Sequence, residues 1–342
     1  MFIRHFVWIL FSLIGGCYLS HERPMMDSAV PVADAGTDTS EIELNIRLSE
    51  DTPPPTTLAR NSSGVRMARY DLFVNRGNVI VTDLYAQRLG IGATSDIPNV
   101  YIYDADTGAR LTVARSIDSM TNVVSFPLDL FVAEDRPRSI VIVGDIDARI
   151  AGGQHAFGVT SVEYMVRSGD SGGLIFVDGP LRAHTFTIGI VLADTLNTLQ
   201  GTDLPEVSAG PGREVSNFWL ESTAGNFEIR SVLLPQAGSI EAHDLTDLVL
   251  FGPLGEIAAT PMLIERQFVF RLAVPYVLRA GSIDNFSIRA RVSGPSDRTI
   301  RTYAEYPADI EAVDLELGVT THVDLASFDG SVPENTSEVT IR

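Results

Sequence analysis

With 342 residues and a formal charge of −19, the chain is long enough for two domains and acidic enough to repel nucleic acid and anionic lipid headgroups. All 25 basic residues are arginine and the only cysteine is Cys17. Intrachain disulfides and lysine-based isopeptide staples are therefore excluded.

Taken in order, the chain opens with Arg4, an apolar run from Phe6 to Ile14, then Gly15, Gly16 and Cys17. The run is too short to span a bilayer but suits a signal-peptide core. Ile14-Gly15-Gly16-Cys17 resembles the lipobox of bacterial lipoproteins. That resemblance implies a signal peptide over residues 1–16, lipid on Cys17 and a membrane anchor at that cysteine. Tyr18, where an aspartate would retain such a protein at the inner membrane, implies the outer membrane or cell surface. An ordinary secretory signal that contains a cysteine is the alternative. Residues 17–40 are polar, without periodicity, and read as a disordered tether.

From Glu41 the pattern changes. Ile42, Leu44, Ile46 and Leu48 alternate with Glu43, Asn45 and Arg47, the period-two signature of a half-buried strand. Pro53, Pro54 and Pro55 end it. Short β-branched runs follow, Val79–Val81 and Ile140–Val143 among them, separated by turn clusters such as Asp104-Ala105-Asp106-Thr107-Gly108. The pattern of residues 69–146 then returns about 148 positions later. Tyr70 falls opposite Phe218, Leu84 opposite Val232, Val100 opposite Leu248 and Phe126 opposite Phe270. No sustained 3.6-residue period is found in the mature chain, so the expected fold is all-β: two tandem antiparallel sandwiches. Thr187–Asp194 repeats the pattern of the opening strand, which puts the first sandwich at 41–184 and the second at 185–342. A joint this short predicts a semi-rigid rod with a few hinge residues, each half folding on its own.

The segments IELNIRLSEDTP, ARYDLFV, VTDLYA and VYIYDADTG, with the link VDGPLRAHTFTI, resemble tandem Ig-like modules of bacterial cell-surface proteins. The resemblance implies a non-enzymatic, cell-envelope role in structure, adhesion or binding, with a carbohydrate- or calcium-binding accessory module as the alternative. A protein or glycan partner in the envelope is expected, and no nucleic acid.

Four patterns bear on chemistry. Gly169-Asp170-Ser171-Gly172-Gly173 matches the nucleophile loop of trypsin-like serine proteases, and Arg149-Ile150-Ala151-Gly152-Gly153 resembles their activation site. The second copy of the repeat places Val319 or Thr320 where Ser171 stands, and His155 lies only sixteen residues upstream, across a predicted strand. No catalytic residue is therefore expected. Asp104 and Asp106 could begin a calcium loop, but Arg115 stands where an EF-hand needs glutamate; a hairpin turn is the expected role, with no metal or other cofactor. His155, His184, His243 and His322 have no ligand spacing. Trp219, Tyr101, Tyr103, Tyr303 and Tyr306 could line a sugar-binding face, although alternation favours Trp219 as a core residue.

Overall fold

The computed structural model describes residues 42–166, 172–199, 201–202, 204–325 and 337–342. Ten strands build a first sandwich: β1 (Leu44–Leu48), β2 (Thr57–Arg60), β3 (Ser62–Val74), β4 (Asn78–Leu89), β5 (Asn99–Asp104), β6 (Val123–Ala133), β7 (Arg138–Ile146), β8 (Gln154–Val166), β9 (Gly172–Arg182) and β10 (Phe186–Leu192). One sheet has the order β1-β3-β7-β5; the other is β2-β10-β8-β4-β6, with β9 also paired to β8. The second sandwich comprises β11 (Thr195–Leu199), β12 (Gly210–Ser222), β13 (Phe227–Pro235), β14 (Leu245–Gly252), β15 (Gly255–Met262), β16 (Gln267–Leu278), β17 (Ile283–Val292), β18 (Thr299–Thr302), β19 (Ile310–Asp314), β20 (Val319–Thr320), β21 (His322–Leu325) and β22 (Ser337–Thr340). Its sheets run β15-β14-β17-β12-β11-β21 and β16-β13-β19-β20, with β18 and β22 as a separate pair. The helical elements among the described residues are three 3₁₀ turns.

The internal duplication is visible in the strand order. β1-β3-β7-β5 recurs as β11-β12-β17-β14, and β6-β4-β8 recurs as β16-β13-β19. Register agrees residue by residue: Leu84 lies opposite Phe126 and Val162, while Val232 lies opposite Phe270 and Ile310. Tyr70 faces Ile140 as Phe218 faces Phe286. All of these residues are buried, in two separate cores. Alternation produces those cores, since every second side chain of a strand turns inward.

Two expectations need correction. Thr187–Asp194 does not open the second sandwich: β10 runs parallel to β2 and antiparallel to β8, so the chain passes between sandwiches at Ala193 and Asp194. A period-two run specifies a strand but not its neighbours. Nor is the joint only a hinge. Residues of both sandwiches form two shared clusters, one with Tyr101, Val141 and Val143 against Ala308 and Tyr306, the other with Ala109 against Leu233 and Val269.

Candidate functional site

Chemistry-bearing side chains converge where the two sandwiches meet. Arg110, in the segment after β5, is almost fully buried and donates from Nη1 to Asp309 Oδ1 at 2.7 Å. Its other amino group pairs with Glu305, and its guanidinium lies 4.3 Å from the centroid of the Tyr306 ring. Burial alone would lower the Arg110 pKa; the Asp309 carboxylate and the neighbouring Tyr103 and Glu305 outweigh it and raise it, so the cation persists. Asp309 also accepts the backbone N–H groups of Glu305 and Tyr306, each at 2.9 Å. Gln267 pairs with the backbone of Arg110 through both its carbonyl (3.0 Å) and its amide (2.8 Å). Arg271 donates to the carbonyls of Ala105 and Asp106, and Arg66 to Glu311. A cavity of about 30 Å³ lies between the sandwiches beside this cluster, room for a water rather than a substrate. The cluster holds two bodies together.

Sequence reasoning missed Arg110 and Asp309, which are 199 residues apart. One signal pointed to them. Ile140–Val143 is apolar on both faces, and a strand so composed is covered on both faces. Ile140 and Ile142 enter the first core, while Val141 and Val143 face the second sandwich.

The predicted candidates are placed as follows. Asp104 is buried, and its Oδ1 accepts the backbone N–H of Asp106 (3.0 Å) and of Thr107 (2.7 Å) and the Thr107 hydroxyl (2.9 Å). Its Oδ2 takes a hydrogen bond from Arg138. Burial would push the Asp104 carboxyl up, but the Thr107 hydrogen bonds and the Arg138 guanidinium prevail and hold it below the usual range. Asp106 lies near Arg69. These carboxylates fasten a turn and an arginine instead of converging on one point. Among the described residues no cluster of three metal-ligating side chains occurs.

His155 is fully buried at the start of β8. Arg88 Nη1 lies 3.1 Å from His155 Nδ1, and Asp96 Oδ2 lies 3.2 Å from Nε2. A guanidinium can only donate, so Nδ1 accepts and Nε2 carries the proton toward Asp96. Burial and the adjacent Arg88 lower the His155 pKa against the pull of Asp96. Gly92 makes the close packing feasible, because a Cβ there would fall 2.6 Å from the imidazole. Both ring nitrogens are engaged, and none is left for a nucleophile. Ser171 lies outside the described residues. Its neighbour Gly172 pairs with Met165, ten residues along β8 from His155, a span of about 33 Å.

His184 is exposed and bonds the Pro53 carbonyl (2.9 Å), His322 meets Ser63 across the two sandwiches (3.1 Å), and His243 is exposed beside Glu241 and Asp244. Tyr103 meets Tyr101 edge-on and Tyr306 packs against Tyr101 at a tilt, in the shared interface rather than lining an open face. Tyr303 is half-buried. Trp219 is also half-buried, not a core residue: Phe218 and Leu220 turn inward on either side, so the indole takes the outer face of β12. Cys17 lies outside the described residues.

No family model matches the sequence, and no curated protein matches it. Solved structures with similarity include the C-terminal domain of the Streptococcus agalactiae AgI/II polypeptide BspA, at 9% identity and TM-score 0.23, covering 88% of this chain and all of that one. A putative membrane-anchored protein from Corynebacterium diphtheriae gives 9% identity and TM-score 0.22, over 86% of this chain and 58% of the other. A family 123 glycoside hydrolase from Clostridium perfringens gives 10% identity and TM-score 0.24, over 49% of this chain and 30% of the hydrolase. Similarity this low carries nothing about ligand or activity.

Proposed function

We propose that the chain is a non-enzymatic, lipid-anchored protein of the bacterial cell envelope, serving in structure, adhesion or binding. One observation carries the non-enzymatic part. Among the described residues, three buried groups that could do chemistry hold other parts of the fold instead: His155 between Arg88 and Asp96, Arg110 between Asp309 and Glu305, Asp104 on its own turn. The sequence at Ile14–Cys17 supports the anchor. No helix among the described residues is long and apolar enough to cross a membrane, and two or more acyl chains suffice for stable attachment.

The test is metabolic lipid labelling with membrane fractionation. The wild-type chain takes up label and stays in membranes after a carbonate wash, whereas Cys17→Ser takes up none and is released. Absence of label in the wild type would sink the anchor. Protease shaving of intact cells then shows whether the sandwiches face outward. A glycan-binding role is favoured by the outward Trp219 alone, since a partly exposed indole can stack on a sugar ring. Glycan-array binding lost in Trp219→Ala would establish it.

A further inference from the structure

The duplication leaves one position filled in the second sandwich and open in the first. β11, the counterpart of β1, is paired on its outer side by β21 in parallel, with Thr195 against His322 and Leu196 against Val323. β1 pairs β3 on one side and, among the described residues, nothing on the other. An open edge is normally guarded, since its free N–H and C=O groups recruit other strands. The edge strands β6 and β16 are guarded: each carries a proline, Pro127 or Pro275, beside a register break. β1 has neither proline nor bulge. It also leaves Ile46 and Leu48 only partly covered beside the core.

Register shows what fits. Asn75 N–H donates to the Glu43 carbonyl, and Ser49 N–H donates to the Arg69 carbonyl. In an antiparallel ladder bonding alternates along the strand, so Glu43, Asn45, Arg47 and Ser49 turn their backbone groups toward β3. Leu44, Ile46 and Leu48 present theirs outward. A second β1 approaching antiparallel must therefore match outward residues with outward residues, which limits the two-fold axis to residue positions. An axis at Asn45 sets Leu44 against Ile46 of the other copy, and Ile46 against its Leu44. The same axis sets Glu43 against Arg47 twice, as non-hydrogen-bonded pairs whose side chains approach most closely. Within Ile42–Ser49, the Asn45 axis opposes carboxylate to guanidinium, and an axis at Leu44 or at Ile46 does not.

We propose that β1 is a self-association edge, pairing antiparallel with β1 of a second copy about Asn45 to join two four-stranded sheets into one of eight. The edge is unobstructed by the second sandwich. β1 lies along Tyr70–Val74, whereas the second sandwich touches the other end of β3, at Ser63, Gly64 and Arg66. Arg47 now pairs with Asp71 at 3.5 Å, and its side chain is 69% exposed, so it is free to turn to a facing glutamate. The inference rests on the fold and stands apart from the anchor.

Charge exchange on the full chain in solution tests it, with sedimentation equilibrium as the readout. The wild type forms a dimer. Glu43→Arg and Arg47→Glu each weaken the dimer at least about tenfold, since like charges then oppose one another twice. Mixing those two variants produces a heterodimer, because every facing pair is again opposite in sign. Carrying both changes in one chain restores the homodimer. Ile46→Pro removes an outward N–H without touching the ladder to β3, and it abolishes the dimer while the melting temperature shows the fold intact. A wild type that stays monomeric at high micromolar concentration overturns the proposal, and so does a dimer indifferent to the exchanges.

Discussion

At the residue scale, the strongest chemical signal in the sequence is answered by where the nearby histidine sits. For GDSGG, a nucleophile needs a base within about 2.6–3.2 Å. His155 is fully engaged by Arg88 and Asp96, at the far end of β8 from Gly172. Ser171→Ala is expected to leave peptide hydrolysis and phosphonate labelling unchanged from the wild type, both at background. A phosphonate adduct on Ser171, lost on changing His184, would reverse that reading. His155 itself gives a pH prediction. Its folded pKa lies below the ordinary value because burial and Arg88 disfavour the charged ring. The unfolded chain therefore binds a proton that the folded chain refuses as pH falls below about 6.5, the unperturbed histidine value. Stability conferred by the neutral ring is present above that pH and is lost as pH falls toward the lowered folded pKa. Urea midpoints measured at pH 7.5 and 5.5 should fall more for the wild type than for His155→Gln. An equal fall in both would show that His155 is protonated in the native state.

At the element scale, what could be read from the sequence follows the reach of each physical signal. Alternation over Ile42–Leu48 gave β1, and the repeat gave equivalences that the ladders reproduce down to Leu84 with Phe126 and Val232 with Phe270. Those signals are local or are copies of local signals. β10 shows the limit: its alternation resembles that of β1, but its partners β2 and β8 are chosen by contacts far away in sequence. Trp219 shows another. The core phase of β12 is set by Phe218 and Leu220, and reading the larger aromatic as the core residue inverted it. The Arg110–Asp309 pair had no local signature at all. Only the two-faced apolar run in β7 marked the surface against which it forms.

On the scale of the whole molecule, the question is whether the duplicated halves still behave as separate bodies. Their cores are separate, yet the interface between them buries an arginine on a carboxylate, with Gln267 pairing both backbone groups of Arg110. Cutting the chain between 184 and 185 would strip β10 from the first sandwich and expose Val141, Val143 and Ala109. The halves are thus expected to melt together, in one cooperative transition of the intact chain. Arg110→Met is the decisive change. It leaves Asp309, which has no exposed side-chain surface, facing an apolar group, and removing one partner of a buried pair costs about 3–5 kcal/mol. Because that loss falls on the interface and not on either core, calorimetry should show the single transition of the wild type splitting into two. Arg291→Met, which removes an exposed pair with Asp247, should shift stability by no more than about 1 kcal/mol and leave one transition. Two transitions already present in the wild type would mean that the halves remain independent and that the buried pair only orients them.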